Sequence, residues 1–382
     1  MRIAILESIL MPAGHEVEFD RILVEEFKKQ GHKPIMLVPE KFPFKLDYKT
    51  DVEYLSGGEA VSYAGVSKLK KLFLSVIRER RRLAWYKSAF EKQNADKWDA
   101  ILVPTATWRN MRALRHSPLR NSKIPVMFIF HGINPGERGN FIKAVRSVKE
   151  YPNIHIAVLG LQTEFPELSD CPNLHTILPP VYLPFDLKVT PALNVHTPLR
   201  LGFFGQYRKE KNLEFFLEAF CKADFNVPVE LLVQGATPTP TDSEDFERLA
   251  KKYEFNKNIK FLHKNLIGIE WQKHLMDSDV LLMPYGAERY RYHWSAMLFT
   301  AIGFYKPVLQ SAEINPEVLE EFNIGEAVKL DDVDTFAGQL ESFVNGFDDR
   351  LEQYRNGLVK ANEKFSHKQM IERIIRVFNS RC

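Results

Sequence analysis

The chain has 382 residues, enough for two domains with cores of their own. Its apolar, aromatic and charged fractions (45%, 12% and 26%) are those of a globular protein, and a net charge of only +3 argues against a general binder of polyanions, nucleic acid included. Three scattered cysteines, Cys171, Cys221 and Cys382, form no CxxC pair or Cys/His cluster, which argues against zinc and fits a reducing, cytoplasmic compartment.

Arg2–Leu6 is a short apolar run that reads as a buried strand; it is too short for a signal peptide. A loop with Pro12 and Gly14 follows, and then Phe19, Ile22, Leu23 and Phe27 repeat at helical spacing up to Gly31. Further strands are expected at 34–38, 100–103, 126–130 and 154–159, with helices over roughly 67–93 and 141–149. Short apolar strands alternating with helices predict a parallel sheet covered on both faces. The stretch 179–198 holds five prolines and little periodicity, and reads as a linker. The alternation then restarts. Strands are expected at 200–204, 229–233, 259–262, 280–283 and 307–309, with helical stripes at Leu213, Phe216, Leu217 and Phe220 and at Phe246, Leu249 and Tyr253. The last helix places Ile371, Ile374, Ile375 and Phe378 on one face. No segment approaches the length of a membrane span. Two doubly wound domains leave a cleft between them, with ligands at the carboxyl ends of the strands.

Two loops carry the candidate chemistry. Gly205, Arg208 and Lys211 follow a strand and precede a helix. A glycine lets the backbone approach a ligand, and two cations beside free helix N–H groups favour a diphosphate. The same residues also suit a solvated turn; the order of strand, loop and helix favours the binding site. The second loop runs Glu288, Arg289, Tyr290, Arg291, Tyr292, His293, Trp294, Ser295 after the strand 280–283. Arg289 or Arg291 would neutralise a diphosphate, Ser295 would hold a phosphate oxygen or a ribose hydroxyl near a helix start, and the aromatics either stack on a base or sugar or pack into the domain.

The helix over 67–93 carries Leu69, Leu72, Phe73, Val76 and Ile77 at helical spacing together with Lys68, Lys70, Lys71, Arg78, Arg80, Arg81 and Arg82, then Trp85 and Tyr86. Its apolar stripe is expected to pack on the sheet with the charges in water. The Arg80–Arg82 cluster keeps a second reading open, in which 68–87 meets an anionic membrane surface.

These segments together resemble a glycosyltransferase of the GT-B fold, closest to the retaining family 4, or group 1, type. The resemblance spans nearly the whole chain. It is carried by PAGHEVEFDRILVEEFKKQGHKPIMLV near the start, FFGQYRKEKNLEFFLEAF at the centre, SDVLLMPY followed by a small-residue helix ending in KPV, and the closing KANEKFSHKQMIERIIRVF. It implies an α/β protein of two doubly wound Rossmann-like domains facing each other across a cleft. They would be an acceptor-binding domain over 1–185, a nucleotide-sugar-binding domain over 186–365, and a C-terminal helix over 366–382 packing back on the first. The family's diphosphate-binding arginine and lysine map onto Arg208 and Lys211. The donor set implied is Gly205, Arg208, Lys211, Gln234, His263, Arg289, Arg291, Tyr292 and Ser295. On the acceptor and sugar side it is Gly14, His15, Glu16 and His131, with His131, Arg208 and Lys211 as the catalytic candidates. His131 would hydrogen-bond the sugar or help move a proton, or else is satisfied locally. Glu16 equally suits a helix start.

One motif departs from the family. Many members carry two glutamates eight residues apart, and counting back from Pro307 places them at Thr300 and Tyr292. A variant with arginine, serine, leucine and alanine fits Arg291, Ser295, Leu298 and Ala301 instead. The expected reaction is sugar transfer from a nucleotide-diphosphate sugar to a hydroxyl of a glycan or lipid-linked acceptor, with retention, closure of the two domains, and neither metal nor other cofactor. The enzyme would be cytoplasmic, or peripheral on the inner face of the membrane. A UDP-sugar epimerase of the same fold and a non-catalytic nucleotide-sugar-binding protein are the alternatives.

Overall fold

The computed structural model describes residues 1–8, 15–42, 48–62, 66–161, 165–191 and 195–380. They form two units, Met1–Phe185 with Ser366–Cys382, and Asp186–Phe365.

The first unit is built on a parallel sheet of β1 (Arg2–Leu6), β2 (Lys33–Pro39), β3 (Val52–Leu55), β4 (Ala100–Val103), β5 (Val126–Phe130), β6 (Ile154–Leu159) and β7 (Leu174–Ile177). Their order is β3-β2-β1-β4-β5-β6-β7. The strands β4 and β5, apolar throughout, and β1, apolar after Arg2, are buried on both faces, so they occupy the middle. The order in which successive strands are added reverses between β1 and β4, and Ile3 pairs with both Pro34 and Ala100. Around the sheet lie α1 (His15–Lys29), α2 (Lys68–Ala95), α3 (Trp108–Arg115) and α4 (Pro135–Arg146). In α1, Phe19, Ile22, Leu23 and Phe27 face the core. Glu16 and Glu18 occupy its first turn and Lys28 and Lys29 its last, matching the helix dipole. Gly31, at φ +81°, takes the left-handed conformation that closes it.

In this unit the structure differs from the sequence-based expectations at α4, at the edge strands, in α2, and in the unexpected helix α3. Helix α4 begins at Pro135, six residues before the expected start, because a proline suits the first turn and needs no amide donor there. The edge strands β3 and β7 were not expected; each is partly exposed and lacks a continuous apolar run. In α2 the apolar stripe does not pack on the sheet. Leu69, Leu72, Phe73 and Val76 are 82%, 69%, 68% and 52% exposed, and the buried contacts come from the later turns, at Trp85, Tyr86 and Ala89.

The second unit holds β8 (Leu199–Phe203), β9 (Val229–Gly235), β10 (Ile259–His263), β11 (Val280–Met283), β12 (Val308–Ser311) and β13 (Gly325–Val328), all parallel in the order β10-β9-β8-β11-β12-β13. This is the dinucleotide-fold order, with its switch point between β8 and β11. Its helices are α5 (Leu213–Lys222), α6 (Pro240–Lys252), α7 (Gly268–Met276), α8 (Ala296–Gly303), α9 (Pro316–Phe322), α10 (Val333–Asn345) and α11 (Phe347–Lys364). Asp279 anchors the switch point. Its buried carboxylate accepts from the Arg200 amide at 2.8 Å and pairs with His196 Nδ1 at 2.7 Å, tying the start of β8 to β11. The final helix, α12 (His367–Asn379), returns to the first unit and packs on α1 and β7 through Met370, Ile371, Ile374 and Phe378. Its first residue, His367, holds the Val181 carbonyl at 2.8 Å. No helix among the described residues is long and apolar enough to cross a membrane.

Candidate functional site

The carboxyl ends of β8, β9 and β11 meet at the switch point of the second unit, and the loops that leave them gather five of the expected donor residues. Gly205 sits just beyond β8 at φ +105°, a conformation that only glycine adopts without strain. Its amide donates to Gln234 Oε1 at 2.8 Å, and Gln234 Nε2 donates to the Lys264 carbonyl at 2.5 Å. Gln234 is buried, so it clamps the loop after β8 to the chain leaving β10. A Cβ on Gly205 would lie 3.0 Å from Lys211 Nζ, so the glycine leaves room for the ammonium.

Lys211 is the centre of the site. Its residue is 8% exposed, its Nζ donates to the Phe204 carbonyl at 3.2 Å, and it lies 4.9 Å from the centre of the Tyr285 ring. Burial, followed by the charges of Arg208 and Arg289, lowers the ammonium from its ordinary value to about 7, with Glu210 opposing. Three cations thus converge on one place, and one carboxylate balances them. Glu210 is ion-paired with Arg289 and lies 3.7 Å from Arg208. Its backbone carbonyl also accepts from the Gly286 amide at 3.0 Å, which joins the loop after β8 to the loop after β11. A Cβ on Gly286 would lie 2.2 Å from Asn212 Nδ2, so the Asn212 amide packs against the bare glycine backbone there. The Arg208 guanidinium folds onto Gln206 Oε1 at 2.8 Å and stays half-exposed, within reach of a ligand.

The other expected donor residues are engaged elsewhere. Arg291 turns to Glu313, with Nε 2.9 Å from the carboxylate. Ser295 caps α8: its buried hydroxyl accepts from the Leu298 amide at 3.3 Å, and its own amide donates to Asn315. Tyr292 ends a short 3-10 turn and is half-buried. His263, at the end of β10, contacts Thr237 at 2.8 Å and Glu247 at 3.2 Å. Thr300, at a glutamate position of the family motif, donates its hydroxyl to the Ala296 carbonyl.

On the first unit, Gly14 lies outside the described residues. His131 follows β5, and its Nε2 lies 3.0 Å from the Pro104 carbonyl after β4. Its ring is 4.6 Å from that of Phe19 and 5.6 Å from that of His15, so His15 and His131 share the carboxyl edge of the sheet. Glu16 stands beside them at the start of α1. One turn further along, Asp20 is fully buried, and among the described residues neither carboxylate oxygen has a hydrogen-bond partner. Burial, then the charges of Glu7 and Glu16, hold its carboxyl well above the usual carboxylate range.

Sequence reasoning missed Glu210, Tyr285 and Asp20. Glu210 reads as one more surface charge in a KEK run, and Tyr285 as part of a turn. Asp20, inside an apolar helical stripe, was the one signal available. Among the described residues, no group of three or more His, Cys, Asp and Glu side chains is placed to hold a metal ion.

Residues 198–345, within the second unit, match the family model described as Glycosyl transferases group 1. No curated protein matches the chain. Among solved structures it is similar to HepE from Anabaena in complex with UDP and glucose, at 13% identity, 98% of each chain covered and a TM-score of 0.67. It is similar to a glycosyltransferase from Rickettsia africae, at 14% identity, 99% of each chain and a TM-score of 0.68. It is also similar to WaaG, a glycosyltransferase involved in lipopolysaccharide biosynthesis, at 14% identity, 99% of this chain and 100% of that one, with a TM-score of 0.59. At these identities the likeness is one of fold.

Proposed function

We propose that the protein, a glycosyltransferase of the GT-B fold, moves a sugar with retention from a nucleotide-diphosphate sugar to a hydroxyl of a glycan or lipid-linked acceptor. The observation that carries this reading is the convergence of Lys211, Arg208 and Arg289 at the switch point, with Glu210 opposing them among the described residues. A buried, uncompensated cation is costly, and a diphosphate relieves that cost. The solved relative HepE holds UDP and glucose.

In the reaction the bond from the anomeric carbon to the diphosphate oxygen breaks, and a bond from that carbon to the acceptor oxygen forms. The acceptor proton leaves with the diphosphate. Negative charge grows on the leaving oxygens, where the Lys211 ammonium and the Arg208 guanidinium stabilise it. Lys211 is held in place by the Phe204 carbonyl and the Tyr285 ring before substrate arrives, so little reorganisation is needed. His131 and His15 serve the acceptor side.

Nucleotide-sugar binding by UDP-, GDP- and ADP-sugars, followed by a product assay with the best binder, tests the reading. Tight binding that survives both Arg208→Ala and Lys211→Met would sink it. Isomerisation of the sugar without an acceptor would replace transfer by epimerisation.

The exposed stripe on α2 supports peripheral association with the inner face of a membrane. Leu69, Leu72, Phe73 and Val76 fall on one helical face, beside the exposed Lys70, Lys71 and Arg80, an arrangement suited to anionic lipid. Vesicle flotation of the wild type and of Leu72→Glu with Phe73→Glu checks this. Equal flotation of the two, or no preference for anionic over zwitterionic vesicles, would remove it.

A further inference from the structure

The charged groups at the switch point are not all held in the same way. Lys211 rests on the Phe204 carbonyl and the Tyr285 ring. Arg289 lies over the Tyr290 ring, its guanidinium 4.9 Å from the ring centre and its Nη2 3.2 Å from the Tyr290 hydroxyl. The Tyr290 ring is in turn 5.0 Å from that of Tyr285. One pair of aromatic rings thus carries both cations, through contacts that need no anion. Arg208 is tied to Gln206 Oε1 at 2.8 Å.

Glu210 is fixed only through its backbone. It lies in the 3-10 turn Lys209–Lys211, and its carbonyl accepts from the Gly286 amide. Among the described residues, the ion-pair partners of its carboxylate are Arg208 and Arg289, and both approach the same oxygen, Oε1. The side chain is 34% exposed, so rotation about its own bonds carries the carboxylate to water without moving the loop. A carboxylate shared by two guanidinium groups has the sign and the planar match of a phosphate oxygen pair in the same place. A diphosphate that reaches Lys211 therefore meets Arg208 and Arg289 already engaged, and has to take them from Glu210.

We propose that Glu210 is an internal counter-anion that the diphosphate displaces, and that it sets how tightly donor and nucleoside-diphosphate product are held. The inference rests on the transferase reading above and deepens it. As the diphosphate docks, the Glu210 carboxylate turns out to water, while Arg289 stays on Tyr290 and receives a phosphate oxygen. After transfer the carboxylate competes for the same guanidinium groups and hastens departure of the product.

Calorimetric titration of the full chain with inorganic pyrophosphate at pH 6 tests it, since that probe presumes neither base nor sugar. Glu210→Gln keeps the length of the side chain and the backbone bond to Gly286, and removes the charge. It is expected to bind pyrophosphate about two- to fivefold more tightly than the wild type, the size of a half-exposed ion pair. The charge of Glu210 is the weakest of the influences on Lys211, so at pH 6 that lysine largely keeps its proton in both proteins. Glu210→Ala removes the same charge with a different shape and should gain as well, which separates lost charge from altered packing. In an Arg289→Gln background Glu210→Gln should gain less, because the pair it breaks is already gone. Equal or weaker binding by Glu210→Gln, a gain confined to one of the two Glu210 variants, or the same gain in both backgrounds would overturn the proposal. No pyrophosphate binding by any of these proteins would overturn it together with the diphosphate site. Nucleotide-sugar binding that persists beside an unresponsive Glu210→Gln would remove this inference and leave the transferase reading standing.

Discussion

Replacing Lys211 by methionine is expected to stabilise the free protein at pH 6 while removing donor binding. The lysine is buried, and its ammonium titrates at about 7 in the folded chain against 10.5 in the open one, chiefly through burial and then through Arg208 and Arg289. The sign follows from proton binding. Below pH 7 both states carry the proton, and the folded state bears the whole penalty, ~5 kcal/mol for that difference in pKa. As pH rises from 7 to 10.5 the folded chain sheds the proton first and the penalty falls, reaching ~2 kcal/mol at pH 9. Methionine escapes this penalty at every pH but loses the bond to the Phe204 carbonyl and the contact with the Tyr285 ring. Those losses cost ~1–3 kcal/mol and do not depend on pH. The net gain is therefore ~2–4 kcal/mol at pH 6 and close to nil at pH 9. In thermal unfolding at pH 6 it should appear as about 4–16 °C, since ~1 kcal/mol moves the midpoint of a domain this size by about 2–4 °C. Scanning both proteins at pH 6 and pH 9 is the assay. A difference in midpoint that is the same at the two pH values would refute the account of Lys211 as a buried cation awaiting an anion.

The same lysine predicts proton uptake on donor binding. At pH 8 the free site is largely neutral, and a diphosphate restores its charge. Calorimetry in two buffers of different ionisation heat should show uptake approaching one proton at pH 8 and little at pH 6; heats independent of the buffer would contradict this. Gln234→Ala leaves the Gly205 amide and the Lys264 carbonyl without partners. A fully buried group left unpaired costs ~1–3 kcal/mol, and these two are part-buried, so urea unfolding should shift modestly to lower concentration and donor affinity should fall with it. Asp20→Asn should stabilise the protein above the ordinary carboxylate range. Because folding raises the Asp20 carboxyl, the wild type loses stability as pH climbs from the unfolded value toward the folded one, and asparagine does not. Thermal midpoints of the pair that fail to diverge over that climb would refute it.

The alternation of short apolar runs with helical stripes was enough to specify a parallel sheet covered on both faces, because a strand buried on two sides must be apolar throughout. Arg2–Leu6, Ala100–Val103 and Val126–Phe130 are the central strands for that reason. Local pattern failed where burial was one-sided. The edge strands β3, β7 and β13 are partly exposed and carry no continuous apolar signal. Periodicity also could not say what a stripe faces. The early turns of α2 have the spacing of a packed helix, yet Leu69, Leu72 and Phe73 lie in solvent. At the site, the sequence placed cations in the loops after β8 and β11 but could not rank them. Only the switch point of the sheet brings Arg289 to Glu210 and Lys211 while Arg291, two residues on, turns to Glu313. A side chain's spacing along its own element is written locally. Its charge partner comes from whichever strand lies beside it in the sheet, and that is decided by tertiary structure.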